Sequence, residues 1–141
     1  MRIFKAKKRD LKEISQIFRE ESSKSPYFQR WTEKTALEKI KKAFRNDDLY
    51  VIINNKIIGF IDCQKDRKKK QIYIDEFWLT KDFQGKGIGG RIMIFIEERY
   101  KRLGFNTITL MANRKARATE FYKKLKYKLK HEFLYMVKRL K

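Results

Sequence analysis

Asp82-Phe83-Gln84-Gly85-Lys86-Gly87-Ile88-Gly89-Gly90-Arg91 holds four of the chain's six glycines. A glycine loop that opens a helix presents unpaired main-chain N–H groups and the positive end of the helix dipole, with no side chain to keep an anion away. The stretch is therefore a candidate phosphate cradle, with Lys86 and Arg91 adding positive charge beside it. The run before it, Ile72-Tyr73-Ile74-Asp75-Glu76-Phe77-Trp78-Leu79, carries two adjacent carboxylates on what reads as a strand. In a regular strand neighbouring side chains point to opposite faces, so only one of Asp75 and Glu76 would reach a given site, and a bulge would decide which.

Three kinds of cradle have to be separated. A Walker loop needs Gly-Lys followed by Ser or Thr for Mg²⁺, whereas Gly85-Lys86 is followed by Gly87. Nucleotide hydrolysis is thereby disfavoured. Gly85, Gly87 and Gly90 satisfy the dinucleotide spacing G-x-G-x-x-G, yet the loop lies past the middle of the chain, and the next strand runs into Ala112-Asn113-Arg114 rather than an acidic ribose ligand. Arg114 would suit a 2′-phosphate, which leaves a phosphorylated dinucleotide as a lesser alternative. The third kind is an acyl-coenzyme A loop.

The elements that must position these residues follow from periodicity. Strands are expected at residues 2–6, 49–53, 56–63, 72–79, 107–111 and 132–138, the second and third joined by a tight turn at Asn54-Asn55. Asp10 and Glu13 form a capping-box pattern ahead of Leu11, Ile14, Ile17 and Phe18. Thr32 precedes Leu37, Ile40 and Phe44, and Ile88, Ile92, Phe95 or Ile96, and Leu103 share a third helical face ending at Gly104. Residues 115–125 give a fourth helix. Strand, glycine loop, helix, strand is a βαβ crossover, so those two strands should be parallel, while the hairpin is antiparallel. The fold class is α/β with a mixed, mostly antiparallel sheet and helices on both faces, in one domain spanning residues 1–141.

Gln84-x-x-Gly87-x-Gly89, between a strand ending at Leu79 and an amphipathic helix, resembles the Q/R-x-x-G-x-G/A signature of the GNAT superfamily of N-acetyltransferases. Ala118-Thr119-Glu120-Phe121-Tyr122-Lys123-Lys124-Leu125-Lys126-Tyr127 is similar to the family's A-x-x-F-Y-x-K-L-G-F helix, with Lys126 in place of glycine and Asn113 two positions early. The resemblance implies an acetyl-coenzyme A-dependent N-acetyltransferase acting on a primary amine, either a small amine or polyamine or a peptide amine, by direct attack on the thioester. It places the cofactor against Phe77, Trp78, Leu79, Gln84, Gly85, Lys86, Gly87, Ile88, Gly89, Gly90, Asn113 and Tyr122. It makes Glu76 or Asp75 the base and Tyr122 the group that protonates the departing thiolate. Tyr27, Phe28 and Trp31, between the first two helices, are the residues it offers to the acceptor.

Composition bounds the alternatives. A 141-residue chain with 42% apolar residues can bury a core. Cys63 is the single cysteine, which excludes an internal disulfide, and no metal site is expected. His131 stands alone and reads as a surface residue. Neither a signal peptide nor a membrane span is legible, so a cytoplasmic protein without membrane contact, monomeric or homodimeric, is expected. The formal charge of +20 attracts polyanions. It supports nonspecific nucleic-acid contact, and a basic nucleic-acid-associated module without catalysis is the alternative to the enzyme.

Overall fold

The protein is described by a computed structural model in which every residue except His131, Phe133 and Lys141 is placed. Five strands, β1 (Arg2–Lys5), β2 (Asp48–Asn54), β3 (Lys56–Asp66), β4 (Gln71–Leu79) and β5 (Thr107–Leu110), form one sheet in the order β1-β2-β3-β4-β5. The first three pairings are antiparallel and β4–β5 is parallel, as the crossover demands. Asn55 turns the β2–β3 hairpin in the left-handed region, φ 66°.

Helices α1 (Leu11–Ser22) and α2 (Glu33–Asn46) cover one face, and α3 (Ile88–Arg102) and α4 (Ala118–Lys124) the other. On the first face Leu11, Ile14, Phe18, Ala36 and Ile40 pack on Leu49, Val51 and Phe60. On the second, Ile92, Met93, Ile96 and Tyr100 pack on Tyr50, Ile52, Ile58, Ile61, Ile72 and Ile74. Thr32 caps α2, its Oγ1 accepting from the Thr35 N–H at 3.0 Å while Thr35 Oγ1 accepts from the Thr32 N–H at 3.0 Å.

Four expectations need correction. Asp10 does not box with Glu13; its carboxylate accepts from the Lys7 N–H at 2.8 Å and closes a short 3₁₀ turn ahead of α1. Leu103, 58% exposed, has left the inward face of α3, and Tyr100 takes that place in the core. The fourth helix begins at Ala118, because Asn113 folds residues 113–116 into a turn through Lys115 N–H to Asn113 Oδ1 at 2.9 Å. The strand expected at 132–138 is absent from its described residues, Glu132 and Leu134–Lys138. An apolar, β-prone run becomes a strand only when it is laid on an edge, and Leu134, Tyr135, Met136 and Val137 are all exposed.

Two features of β3 control the path of β4. At Gly59 an added Cβ would lie 2.4 Å from the Trp78 carbonyl oxygen and 2.7 Å from Leu79 Cδ2, so the close approach of the strands requires the missing side chain. Three residues on, Asp62 is buried at 2% exposure and its Oδ1 has no hydrogen-bond partner. Burial first, then the carboxyls of Asp47 and Asp75, push its pKa up to about 9, against the opposing pull of Lys39. The folded protein thus holds a proton that the unfolded chain releases above about pH 4, so this group erodes stability as pH rises from about 4 toward 9.

Gly59→Ala should lower stability by about 3 kcal/mol, the upper range for overpacking, in urea denaturation. Asp62→Asn, which keeps the shape without the ionisation, should raise Tm by several degrees at pH 8, with the advantage shrinking to nothing near pH 4. An advantage independent of pH would sink that account of Asp62.

Candidate active site

The site starts from a surplus residue in β4. Asp62 pairs with Glu76 and Cys63 with Ile74, so Asp75 is the extra residue of a bulge. Ile72 and Ile74 face α3, and beyond the bulge Phe77 and Leu79 return to that side, while Trp78 joins the cluster under α1 and α2. Asp75 and Glu76 are therefore both turned toward α1 and α2. Regular alternation would have separated them; the bulge does not choose one acid but delivers both.

Each acid has its own partner. Asp75 Oδ2 accepts from Lys39 Nζ of α2 at 3.1 Å, and Glu76 Oε2 accepts from the Trp78 indole Nε1 at 3.0 Å. Burial raises the Glu76 pKa above its ordinary value, only partly offset by the Trp78 hydrogen bond and the Lys39 charge. For Lys39 burial alone would lower the pKa. The hydrogen bond it donates to Asp75 and the charges of Asp75, Glu76 and Asp62 overcome that and hold the ammonium protonated.

The glycine loop arrives at the end of the same strand. Thr80 donates its N–H to Ile58 O at 2.8 Å, Lys81–Phe83 make a 3₁₀ turn, and Gly85 and Gly87 take φ of 72° and 79°. A Cβ built at Gly85, Gly87 or Gly90 would meet nothing within 4 Å, so the space beside these three positions is open. Gly87 caps α3, and the Arg91 N–H is bonded to Gly87 O at 3.3 Å, which leaves the N–H groups of Ile88, Gly89 and Gly90 without partners inside the helix. Gly89 serves packing, since a Cβ there would press on the Phe121 ring at 3.2 Å. Lys86 lies over the Phe83 ring at 5.9 Å, and Ile88 packs on the core. The Gln84 side chain turns inward, its Nε2 donating to Leu79 O at 2.8 Å and to Glu21 Oε1 at 3.1 Å, so it braces the loop against β4 and α1.

Beside the loop the sheet splits. β5 pairs with β4 only from Gln71 to Ile74, and the rest of β4, Asp75–Leu79, has no strand partner on that edge among the described residues. Tyr122 of α4 packs against Phe121 and Tyr127, and burial, then the proximity of Tyr27, raises its pKa and keeps the phenol protonated. Tyr27, from the α1–α2 connection, packs edge-on against Trp78 with ring centres 4.8 Å apart. Glu76, Trp78 and Tyr27 thus form one line of contacts, and Tyr122 lies near its Tyr27 end.

Not every expected residue joins that line. Phe28 is 69% exposed. Trp31 packs on Phe18 at 5.0 Å and donates its Nε1 to Gln29 at 2.8 Å, which sets it on the Lys39 side rather than with Tyr27. Asn113 is exposed, with its side-chain oxygen occupied by the turn that precedes α4. His131 lies outside the described residues. Among the described residues no group of three or more His, Cys, Asp or Glu is arranged to hold a metal, and no helix is long and apolar enough to cross a membrane.

Sequence reasoning missed Lys39, Asp62 and Glu21. The signals were present. Lys39 sits among Ala36, Ile40 and Ala43 at inward helical spacing, and Asp62 shares a strand face with buried Phe60. Glu21, buried at the end of α1 and bound to Lys24 at 2.7 Å, continues the inward spacing of Ile14, Ile17 and Phe18.

Solved structures share this fold. No curated protein matches the chain at the level of sequence. A possible acetyltransferase from Clostridium difficile 630 superposes with a TM-score of 0.80 at 14% identity, covering 99% of this chain and 98% of the other. The PaiA N-acetyltransferase from Thermoplasma acidophilum, in complex with coenzyme A, gives a TM-score of 0.72 at 18% identity over 88% and 87% of the two chains. An aminoglycoside acetyltransferase from an uncultured soil metagenomic sample, in complex with sisomicin, gives 0.68 at 18% identity over 99% and 96%. The sequence model of the acetyltransferase (GNAT) family matches residues 11–127, which contain the bulged strand, the open glycine loop and the Tyr122 helix, and the chain belongs to that family of acetyltransferases.

Proposed function

We propose that the protein transfers the acetyl group of acetyl-coenzyme A to a primary amine, with Glu76 as the base and Tyr122 as the acid. The observation that carries this reading is the split between β4 and β5, which opens beside an unobstructed glycine loop, with a half-buried carboxylate, Glu76, and a half-buried phenol, Tyr122, nearby. The open Cβ positions at Gly85, Gly87 and Gly90 and the free N–H groups at the start of α3 fit a diphosphate, and Lys86 adds charge. The complex of the Thermoplasma acidophilum relative with coenzyme A supports the same cofactor here. When bound, the cofactor supplies an acetyl thioester.

The remaining work falls to the chain's own groups. An alkylamine of pKa near 10.4 is protonated at pH 7, and bringing it to the neutral form costs about 4.6 kcal/mol, so a proton acceptor is needed. Glu76 suits this better than Asp75. Its pKa is raised by burial toward the working range, and its charge is not tied up in an ion pair, whereas Asp75 is held by Lys39. The unpaired edge of β4 around Phe77, Trp78 and Leu79 offers main-chain N–H donors to a carbonyl oxygen gaining charge. Tyr122, kept protonated by burial, is the proton donor to the departing sulfur.

Glu76→Gln should reduce kcat/KM by about 10²–10⁴-fold, the range for loss of a general base. In the wild type, kcat/KM should rise with pH through an inflection above the ordinary carboxylate range, because Glu76 must be ionised to act, and the variant should lose that inflection. Gly87→Glu, a side chain forced onto a positive φ and into the cradle, should abolish coenzyme A binding in calorimetry. Full affinity in that variant would overturn the cofactor site.

A further inference from the structure

The proposed mechanism leaves one feature unused. Lys39 carries a primary ammonium into the acid side of the site, the same group that an acceptor must bring. Its Nζ is 3.1 Å from Asp75 Oδ2 and 5.9 Å from the ring centres of both Phe18 and Trp31. Glu76 and Asp62 face it from β4 and β3. Asp62 is buried at 2% exposure with Oδ1 unpartnered, so the acids already include one buried oxygen without a donor. Lys39 and Asp75 side chains are each 27% exposed, and the lysine is held by a single hydrogen bond on a flexible four-carbon stem.

We propose that this cluster is an ammonium subsite for the acceptor, in which the Lys39 side chain occupies the place of the acceptor's cationic group and must withdraw before an alkylammonium binds. This rests on the N-acetyltransferase reading above and narrows it to aliphatic, cationic amines. Asp75 and Glu76 supply the counter-charge, and the Phe18 and Trp31 rings supply cation–π contact. Asp75 receives the incoming ammonium. Glu76 then takes one N–H proton as the nitrogen's lone pair is freed for attack. In a chain of formal charge +20 a cation needs such a local reversal of sign to approach at all.

Because the internal ammonium is tethered, it competes with the acceptor, and the fraction of molecules with Lys39 withdrawn scales the apparent affinity. Lys39→Met keeps the stem and removes the charge; Lys39→Arg keeps both charge and stem length. The probe is n-butylammonium, titrated calorimetrically into the wild type and both variants, with coenzyme A titrated in parallel. Lys39→Met should bind it about tenfold more tightly than the wild type, and Lys39→Arg should not. Adding Asp75→Asn to Lys39→Met should cancel the gain.

With acetyl-coenzyme A present, KM for butylamine should fall in Lys39→Met by a similar factor. Equal or weaker butylammonium binding in a folded Lys39→Met protein, or a gain that survives Asp75→Asn, would overturn the subsite. Both outcomes are read from binding and do not require turnover. Loss of coenzyme A binding or of all amine acetylation in the wild type would instead overturn the enzymatic reading, so the two failures are distinct.

Discussion

A single surplus residue in β4 governs the layout of the site. Without the bulge at Asp75, the parity that sends Ile72 and Ile74 into the core under α3 would continue, and Glu76 and Trp78 would face one side while Asp75 and Phe77 faced the other. The bulge resets the parity, so that Phe77 and Leu79 still reach the α3 core while two consecutive acids point toward α2. It also sits where pairing with β5 stops, at Ile74 and Leu110. A bulged strand bends and twists more strongly than its neighbours, so the kink that groups the carboxylates and the opening of the sheet occur at one place in the chain.

Grouping acids is costly, and the structure shows how the cost is met. Three carboxylates facing one another in a partly dry environment cannot all be ionised cheaply. Asp62, the most buried, stays protonated beside Asp47; Asp75 is paired with Lys39; Glu76, its pKa raised by burial, accepts from the Trp78 N–H. Three similar groups thereby sit in three different environments, set by burial and by one lysine.

Much of the frame was legible in the sequence. The hairpin, the crossover and the glycine loop each have local signatures, namely Asn54-Asn55, the switch from period two to 3.6 after Leu79, and four glycines in six positions. The two acids were legible as candidates, but their shared face was not, because a bulge is a property of register between β3 and β4 rather than of either strand. The same limit explains Lys39, whose importance depends on which strand passes beneath α2. It also explains Gln84, a motif residue whose side chain braces Leu79 and Glu21 across the loop. The described residues of 132–138 show the converse, a strand-like composition laid on no edge.

The acid and the phenol stand on opposite sides of the sheet, and this separation is useful. Glu76 faces α1 and α2, whereas Tyr122 belongs to the core on the α3 and α4 side. On one face, a base and an acid within hydrogen-bond reach would exchange their proton directly or hold each other in place. Here Glu76 bonds to Trp78, Trp78 packs on Tyr27, and Tyr27 lies near enough to Tyr122 to raise its pKa. In the proposed transfer, the attacking amine would give its proton to Glu76 on one face and the leaving sulfur would take one from Tyr122 on the other.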